Sequence, residues 1–165
     1  MTRRPPRYLF VCTANINRSP MAAAWAERLF AERLVAVEVR SAGTHAWSGG
    51  EAAAYAVDAM RELGFDLRSH RSQPLDRELV HWADHVVVME PGHARITRSI
   101  NDESLPGSEG RTQVEGLWPH LAEAESEVPD PQGMDLSEYR RSASSIGVAV
   151  GSLVESHLAA TRGRS

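Results

Sequence analysis

The segment from Tyr8 to Pro20 most constrains how this chain can fold. A continuous apolar run from Tyr8 to Val11 is followed by Cys12 and a short polar loop, then by Ser19, Pro20 and an alanine-rich stretch. Such a run is typical of a strand buried on both faces of a parallel sheet. Serine before proline is typical of a helix start, with Ser19 as N-cap and Pro20 as the first helical residue. The segment therefore predicts a strand, a loop and a helix in succession.

The rest of the chain alternates between short apolar runs and helical patterns. Strands are predicted at residues 35–39 and 86–89, helices at 51–63, 75–83, 91–100 and 136–160, and a long loop at 101–113, while residues 114–127 fit no single element. This alternation favours an α/β fold, in which helices cover both faces of a parallel sheet. Ligands of such sheets bind beyond the carboxyl ends of the strands, where the loop after Val11 lies.

Composition excludes several classes of protein. The 165 residues fit one domain over residues 1–165, with flexible tails at about 1–6 and 162–165. A net charge of −4 argues against nucleic acid as a partner, and no apolar run is long enough to span a membrane. One cysteine allows no internal disulfide, which indicates a cytoplasmic protein, and it excludes a zinc site of several cysteines. The histidines show no metal-ligand spacing, so no metal or cofactor is expected.

The loop after the first strand has the composition of an anion site with a nucleophile. Cys12 begins it, and a thiol beside a helix N-terminus and an arginine is favoured as the thiolate. Arg18 can hold two phosphate oxygens with its planar fork, and Ser19 can donate to the thiolate. Backbone amides at the helix start can wrap a phosphate group, and those expected to do so belong to Thr13, Ala14, Asn15, Ile16, Asn17, Arg18 and Ser19.

The same loop has two other interpretations. A nucleotide-binding loop is excluded, because all eighteen basic residues are arginine and the loop contains no glycine. A buried free cysteine that merely ends a strand remains the simple alternative for Cys12.

The loop resembles the active-site loop of the low-molecular-weight protein tyrosine phosphatases. Further segments resemble the same family in chain order; these are residues 41–44, Trp47, residues 64–72, residues 83–84 and residues 128–131. The resemblance implies a four-stranded parallel sheet flanked by helices on both faces, with the phosphate-binding loop between the first strand and the first helix. It also implies a metal-free, two-step reaction. Cys12 attacks phosphorus to form a thiophosphate, and Asp130 acts first as general acid and then as general base.

The resemblance also implies roles for residues outside the loop. Asn15, Ser19, Ser41 and His70 match a hydrogen-bond network beneath it. Gln132 occupies the position of an aromatic cleft wall, and Trp47 either supplies such a wall from another loop or is a partly buried loop tryptophan. Three positions depart from the family pattern. Ala14 replaces a glycine, Asn17 replaces a second cysteine, and Gln132 replaces an aromatic residue of members that act on phosphotyrosine.

These departures leave several functions open. The first is a phosphatase for phosphotyrosine in proteins, and the alternative is a phosphatase for a small phosphomonoester, which the open position at Gln132 favours. An arsenate reductase would need further cysteines. A catalytically weak phosphate-binding regulatory module is the non-enzymatic alternative, although such a module gains nothing from both Cys12 and Asp130. The oligomeric state stays open.

Overall fold

Four parallel strands form one sheet. The computed structural model describes residues 4–102 and 112–163 of the chain. In these residues the strands are β1 (Arg7–Cys12), β2 (Glu38–Gly43), β3 (His85–Val88) and β4 (Gln113–Gly116). They are arranged in the order β2-β1-β3-β4, with Val11 opposite Ala42 on one side and Val88 on the other. The predicted four-stranded α/β architecture is confirmed.

Helices cover both faces of this sheet. They are α1 (Arg18–Glu32), α2 (Ala54–Glu62), α3 (Arg77–Trp82), α4 (Pro91–Asp102) and α5 (Leu136–Arg162). The first, second and fifth helices pack on one face around Phe10 and Val87. The third and fourth cover the other face around Leu9 and Val86. Side chains alternate along a strand, so the apolar run of β1 is buried on both faces of the sheet.

The first helix begins earlier than the sequence pattern predicts. It begins at Arg18, with Asn17 at the N-cap position, so the prediction that Ser19 caps it is wrong. The hydroxyl of Ser19 instead contacts Cys12 Sγ and the Asn15 side chain inside the loop. Pro20 still lies in the first helical turn, where its missing N–H leaves no intrahelical hydrogen bond unmade.

Two strands also differ from the prediction. β2 begins at Glu38, not at residue 35, and extends through Gly43, because it pairs with β1 from Arg7 to Cys12. β4 lies partly in the stretch that the pattern left unassigned. It is an edge strand of four residues, none of them fully buried, and only Val114 packs against an apolar cluster. Such a strand has little hydrophobic pattern to detect.

Residues 4–6, the described part of the tail expected at residues 1–6, make hydrogen bonds with the rest of the fold. The Arg4 guanidinium donates hydrogen bonds of 2.7 and 2.8 Å to the Asp84 carboxylate, and the Pro6 carbonyl accepts one from the Glu38 amide. Residues 1–3 and 164–165, and most of the loop predicted at 101–113, lie outside the described residues. Among the helices of the described ranges, none combines the length and apolarity needed to cross a membrane.

Candidate active site

The loop between β1 and α1 lies at the carboxyl end of the sheet, where the strand order changes direction between β1 and β3. Open α/β sheets bind ligands at such points. The loop after β2 is bonded to it, since the Thr44 amide donates to the Cys12 carbonyl at 3.0 Å and the His45 amide to the Thr13 carbonyl at 2.9 Å. A Cβ on Gly43 would lie 2.5 Å from the Thr13 carbonyl oxygen. Glycine at this position therefore allows the two loops to approach each other.

The thiol of Cys12 is buried at the base of this loop. Its Sγ lies 2.9 Å from Ser19 Oγ and 3.3 Å from the backbone nitrogen of Asn15, which donates to it. The Asn15 side-chain amide donates to Ser19 Oγ at 2.8 Å, so the Ser19 hydroxyl hydrogen is left for another acceptor. Two acceptors lie within reach of this hydroxyl. Cys12 Sγ is 2.9 Å from Ser19 Oγ, and the Ala42 carbonyl oxygen is 3.4 Å from it. The Asn15 amide therefore donates to the sulfur, and the Ser19 hydroxyl lies where it can donate to a thiolate or accept from a thiol.

Asn15 connects the loop to the sheet. It adopts a left-handed conformation with φ of 56°, which asparagine tolerates. Ala14 is not among the positive-φ residues of the described ranges, so alanine costs no strain there. The Asn15 side chain donates to Ser41 Oγ at 2.9 Å and accepts from the Gln73 amide at 3.0 Å. The structure therefore brings Asn15, Ser19 and Ser41 together, with Gln73 as a partner that sequence reasoning missed.

His70 lies against the same loop from outside. Its Nε2 lies 2.7 Å from the Asn15 carbonyl oxygen, which can only accept, so Nε2 carries the hydrogen. Burial lowers the pKa of His70, and Arg71 acts in the same direction, while the hydrogen bond to Asn15 opposes them. The ring is therefore favoured in its neutral form.

Arg18 is buried and held by groups from three segments. Its Nη1 donates to Glu90 Oε1 at 2.6 Å and to the Val128 carbonyl at 2.9 Å. Its Nη2 lies 3.4 Å from Thr13 Oγ1 and 3.3 Å from Asp130 Oδ2. Sequence reasoning missed Glu90, although its place two residues after β3, at the same edge as Cys12, is a signal that could have found it.

Asp130 lies in a segment attached to the end of β3. The Val128 amide donates to the Met89 carbonyl at 2.8 Å, and the flanking prolines favour an extended backbone. The Asp130 side chain is 41% exposed and its Oδ1 accepts from the Gln132 amide at 3.1 Å. The carboxylate therefore faces both solvent and the Arg18 guanidinium.

The remaining site residues surround the loop. Thr13 Oγ1 lies 2.9 Å from Nε2 of the buried His93, a contact that the sequence did not indicate, and burial lowers the pKa of His93. Ile16 is partly exposed. The Trp47 side chain is 87% exposed, and its carbonyl accepts from Ser72 Oγ. The Gln132 side chain accepts a 2.8 Å hydrogen bond from the Asn17 side-chain amide. This side of the cleft is therefore occupied by Gln132 and is not the open position that the sequence indicated.

This arrangement defines a class of protein. A buried thiol beside a backbone amide donor and a serine hydroxyl, a helix N-terminus, a fixed arginine and a nearby carboxylic acid form a site for phosphoryl transfer to sulfur. Within residues 4–102 and 112–163, one group of three side chains could share a metal ion. It consists of His85, Glu115 and His157, and it includes no residue of the site around Cys12.

Comparisons with known proteins agree with this class. The family model for low molecular weight phosphotyrosine protein phosphatase matches residues 7–162. The protein-arginine-phosphatase of Geobacillus stearothermophilus is 35% identical over 151 residues, which cover 92% of this chain and 95% of that protein. The low molecular weight protein-tyrosine-phosphatase Etp of Escherichia coli strain K12 is 35% identical over 123 residues, covering 74% and 75%. A cysteine-to-serine mutant structure of the arginine phosphatase YwlE, with a phosphorylated active-site serine, matches with a TM-score of 0.78 at 28% identity, covering 91% and 94%.

The chain belongs to the low molecular weight phosphotyrosine protein phosphatase family. The family and the phosphatase class that the sequence predicted are thereby confirmed.

Proposed function

We propose that this protein hydrolyses phosphotyrosine in proteins through a thiophosphate intermediate on Cys12. The observation that carries the proposal is the setting of the Cys12 thiol, with Ser19 Oγ at 2.9 Å and the Asn15 amide at 3.3 Å. Donors directed at sulfur stabilise the thiolate, which is the nucleophilic form. The positive end of the α1 dipole acts in the same direction.

Arg18 acts as the phosphate clamp. Among the described residues its Nη2 makes only long contacts, with Thr13 and Asp130, whereas Nη1 is held by Glu90 at 2.6 Å. A phosphate group in the loop replaces Asp130 as the partner of Nη2 and receives further hydrogen bonds from the backbone amides of residues 13–19. Asp130 is then free to turn toward the leaving oxygen.

The reaction then proceeds in two balanced steps. Cys12 Sγ attacks phosphorus, the bond from phosphorus to the tyrosine oxygen breaks, and Asp130 transfers its proton to that oxygen. Water then attacks the thiophosphate and gives a proton to Asp130. The bond between sulfur and phosphorus breaks, inorganic phosphate leaves, and the thiolate is restored. The phosphorylated active-site serine in the related mutant structure supports a covalent intermediate at this position.

The surroundings of the loop support an aromatic substrate. Trp47 is largely exposed on a loop bonded to the phosphate-binding loop, where its indole can form a wall for a phenyl ring. Ile16 is a partly exposed apolar side chain in the loop itself. These two side chains offer apolar surface to the part of the substrate next to the phosphate.

Phosphoarginine in proteins is the second candidate substrate. The Geobacillus relative carries that activity in its name and aligns with 92% of this chain. The same nucleophile would break a bond between phosphorus and nitrogen, and Asp130 would protonate the guanidinium nitrogen. A small phosphomonoester is the third candidate substrate. It is considered because the polar Gln132 stands at the rim of the cleft in place of an aromatic residue.

One set of assays separates these proposals. Peptides of identical sequence with phosphotyrosine or phosphoarginine, and p-nitrophenyl phosphate, are assayed with chelator present. We expect the highest kcat/KM for the phosphotyrosine peptide, no turnover by Cys12→Ser, and a loss of about 100-fold or more in Asp130→Ala. Trp47→Ala should raise KM for the phosphotyrosine peptide and leave inhibition by inorganic phosphate unchanged.

Other results would overturn parts of the proposal. A higher kcat/KM for phosphoarginine selects the second candidate, and turnover of the small ester alone selects the third. Turnover that persists in Cys12→Ser excludes Cys12 as the nucleophile. If the folded wild-type protein binds vanadate but turns over no substrate, the protein is a phosphate-binding regulatory module and not an enzyme.

A further inference from the structure

A second polar cluster lies away from Cys12, with two of its members, Tyr8 and His85, near the amino ends of β1 and β3. It consists of Tyr8, His85, Glu115 and His157, and we call it the histidine cluster. Tyr8 precedes Cys12 by four residues along β1, which corresponds to about 13 Å. His85 is the first residue of β3, Glu115 belongs to β4, and His157 reaches them from α5. The proposed phosphatase reaction uses none of these side chains.

The side chains of the histidine cluster are in direct contact. His157 Nε2 lies 2.6 Å from Glu115 Oε1, and His157 Nδ1 lies 2.8 Å from the Tyr8 hydroxyl. The His85 ring stacks on Tyr8 with centroids 4.8 Å apart and lies 4.7 Å from the His157 ring. One ligand atom each from His85, Glu115 and His157 lies within 4.8 Å of the other two.

One atom of the cluster lacks a protein partner. His85 Nδ1 is buried, and among the described residues it has no hydrogen-bond partner, which is costly for a polar atom. An imidazole nitrogen without a hydrogen-bond partner is available as a metal ligand.

We propose that His85, Glu115 and His157 bind one Zn²⁺ ion, with a water molecule in the fourth position. Two imidazoles and a carboxylate are a donor set that zinc uses when one position stays open. Ligand atoms of a tetrahedral zinc ion lie roughly 3.3 Å apart. The widest separation, at most 4.8 Å, would therefore close by up to about 1.5 Å, while His157 Nε2 and Glu115 Oε1, now 2.6 Å apart, would separate by about 0.7 Å as the ion replaces their hydrogen bond. Zinc on His157 Nε2 leaves a hydrogen on Nδ1, which donates to the Tyr8 hydroxyl, as metal-bound histidines usually donate to a second partner.

The ion would stabilise the fold, not take part in the reaction. It would join β3, the edge strand β4 and the C-terminal half of α5, three elements that are distant in sequence. Binding to the folded state alone raises the unfolding temperature.

The test measures zinc binding by the full chain after treatment with a chelator. Equilibrium dialysis against Zn²⁺ should give one ion per chain, and thermal unfolding should shift upward when the ion binds. The Cys12→Ser variant should bind equally well, which distinguishes the histidine cluster from a zinc–thiolate complex at the active site. Tyr8→Phe should weaken binding by about 10-fold or more through loss of the acceptor for His157.

Variants of the ligands decide the proposal. Glu115→Gln keeps a side-chain oxygen that accepts from His157 but loses the charge, so it should fold and lose the zinc-dependent shift. His157→Ala should lose binding, with circular dichroism of the metal-free variant as a check on folding, whereas the control His81→Ala, an exposed position on α3, should bind normally. No binding by the wild type, unchanged binding by Glu115→Gln, or loss of binding in Cys12→Ser would overturn the proposal.

Discussion

The side-chain amide of Asn17 donates a 2.8 Å hydrogen bond to the side-chain oxygen of Gln132. Asn17 lies in the phosphate-binding loop, and Gln132 lies two residues after Asp130. Both positions depart from the pattern of the family, in which a cysteine and an aromatic residue are usual. The two departures therefore form a single contact, and this contact joins the loop to the segment that contains Asp130.

Breaking this contact should slow the reaction without abolishing it. A neutral hydrogen bond contributes about 0.5–1.5 kcal/mol, so Gln132→Ala should reduce kcat roughly 2- to 10-fold through poorer positioning of Asp130. Asn17→Ala should have a similar effect, and the double variant should be little worse than either single one. Steady-state kinetics on all three measure this. The control is Met134→Ala, which changes an exposed side chain of the same segment. If the losses of kcat in the two single variants simply add in the double variant, the contact has no role.

Removal of the Glu90 carboxylate should weaken phosphate binding. Glu90 orients the buried Arg18 through a hydrogen bond of 2.6 Å. Hydrogen bonds to charged groups contribute about 1.5–3 kcal/mol, so Glu90→Ala should lower the free energy of unfolding by that amount. Vanadate affinity should fall about 10-fold or more on the same grounds. Denaturant unfolding and vanadate titration check both effects. The exposed Glu125→Gln is the control, and unchanged vanadate affinity in Glu90→Ala would contradict the orienting role.

Peroxide should inactivate the enzyme with poor recovery. Cys12 is the sole cysteine, and Asn17 stands where a second thiol could trap an oxidised Cys12 as a disulfide. The sulfenic acid of Cys12 can therefore be oxidised further to sulfinic acid, which thiols do not reduce. Activity before and after dithiothreitol, with mass spectrometry of Cys12, measures this. The matched variant Asn17→Cys should recover more activity, and full recovery by the wild type would count against the prediction.

Stability should fall as the pH drops below about 6.5, in part because of His70. Burial lowers the pKa of His70 from its usual 6.5, so the unfolded chain takes up the proton first. The penalty is absent above pH 6.5, where the ring is neutral in both states, and grows as pH falls toward the folded-state pKa. Denaturant unfolding at pH 7.5 and 5.5 should show a smaller loss for His70→Gln than for the wild type. An equal loss in both would exclude His70 as a contributor.

Much of the site could be predicted from sequence because it is local. Cys12, Arg18 and Ser19 lie within eight residues of each other, between a buried strand and a helix, and this pattern alone indicates an anion site with a nucleophile. The apolar runs of β1 and β3 likewise indicate central strands of a parallel sheet. Buried strands and helix starts depend on neighbouring residues, so short sequence patterns describe them well.

The tertiary structure decided which distant residues meet this loop. Glu90 and Val128 hold Arg18, His93 contacts Thr13, and Gln132 bonds to Asn17 across 115 positions of sequence. The edge strand β4 and the start of β2 depend on pairing with strands elsewhere in the chain. The sequence by itself indicated a candidate nucleophile in Cys12, the loop that contains it and the type of sheet, because periodicity and spacing are properties of short segments. Hydrogen-bond partners, strand ends and the histidine cluster are set by how the segments pack, which no local pattern records.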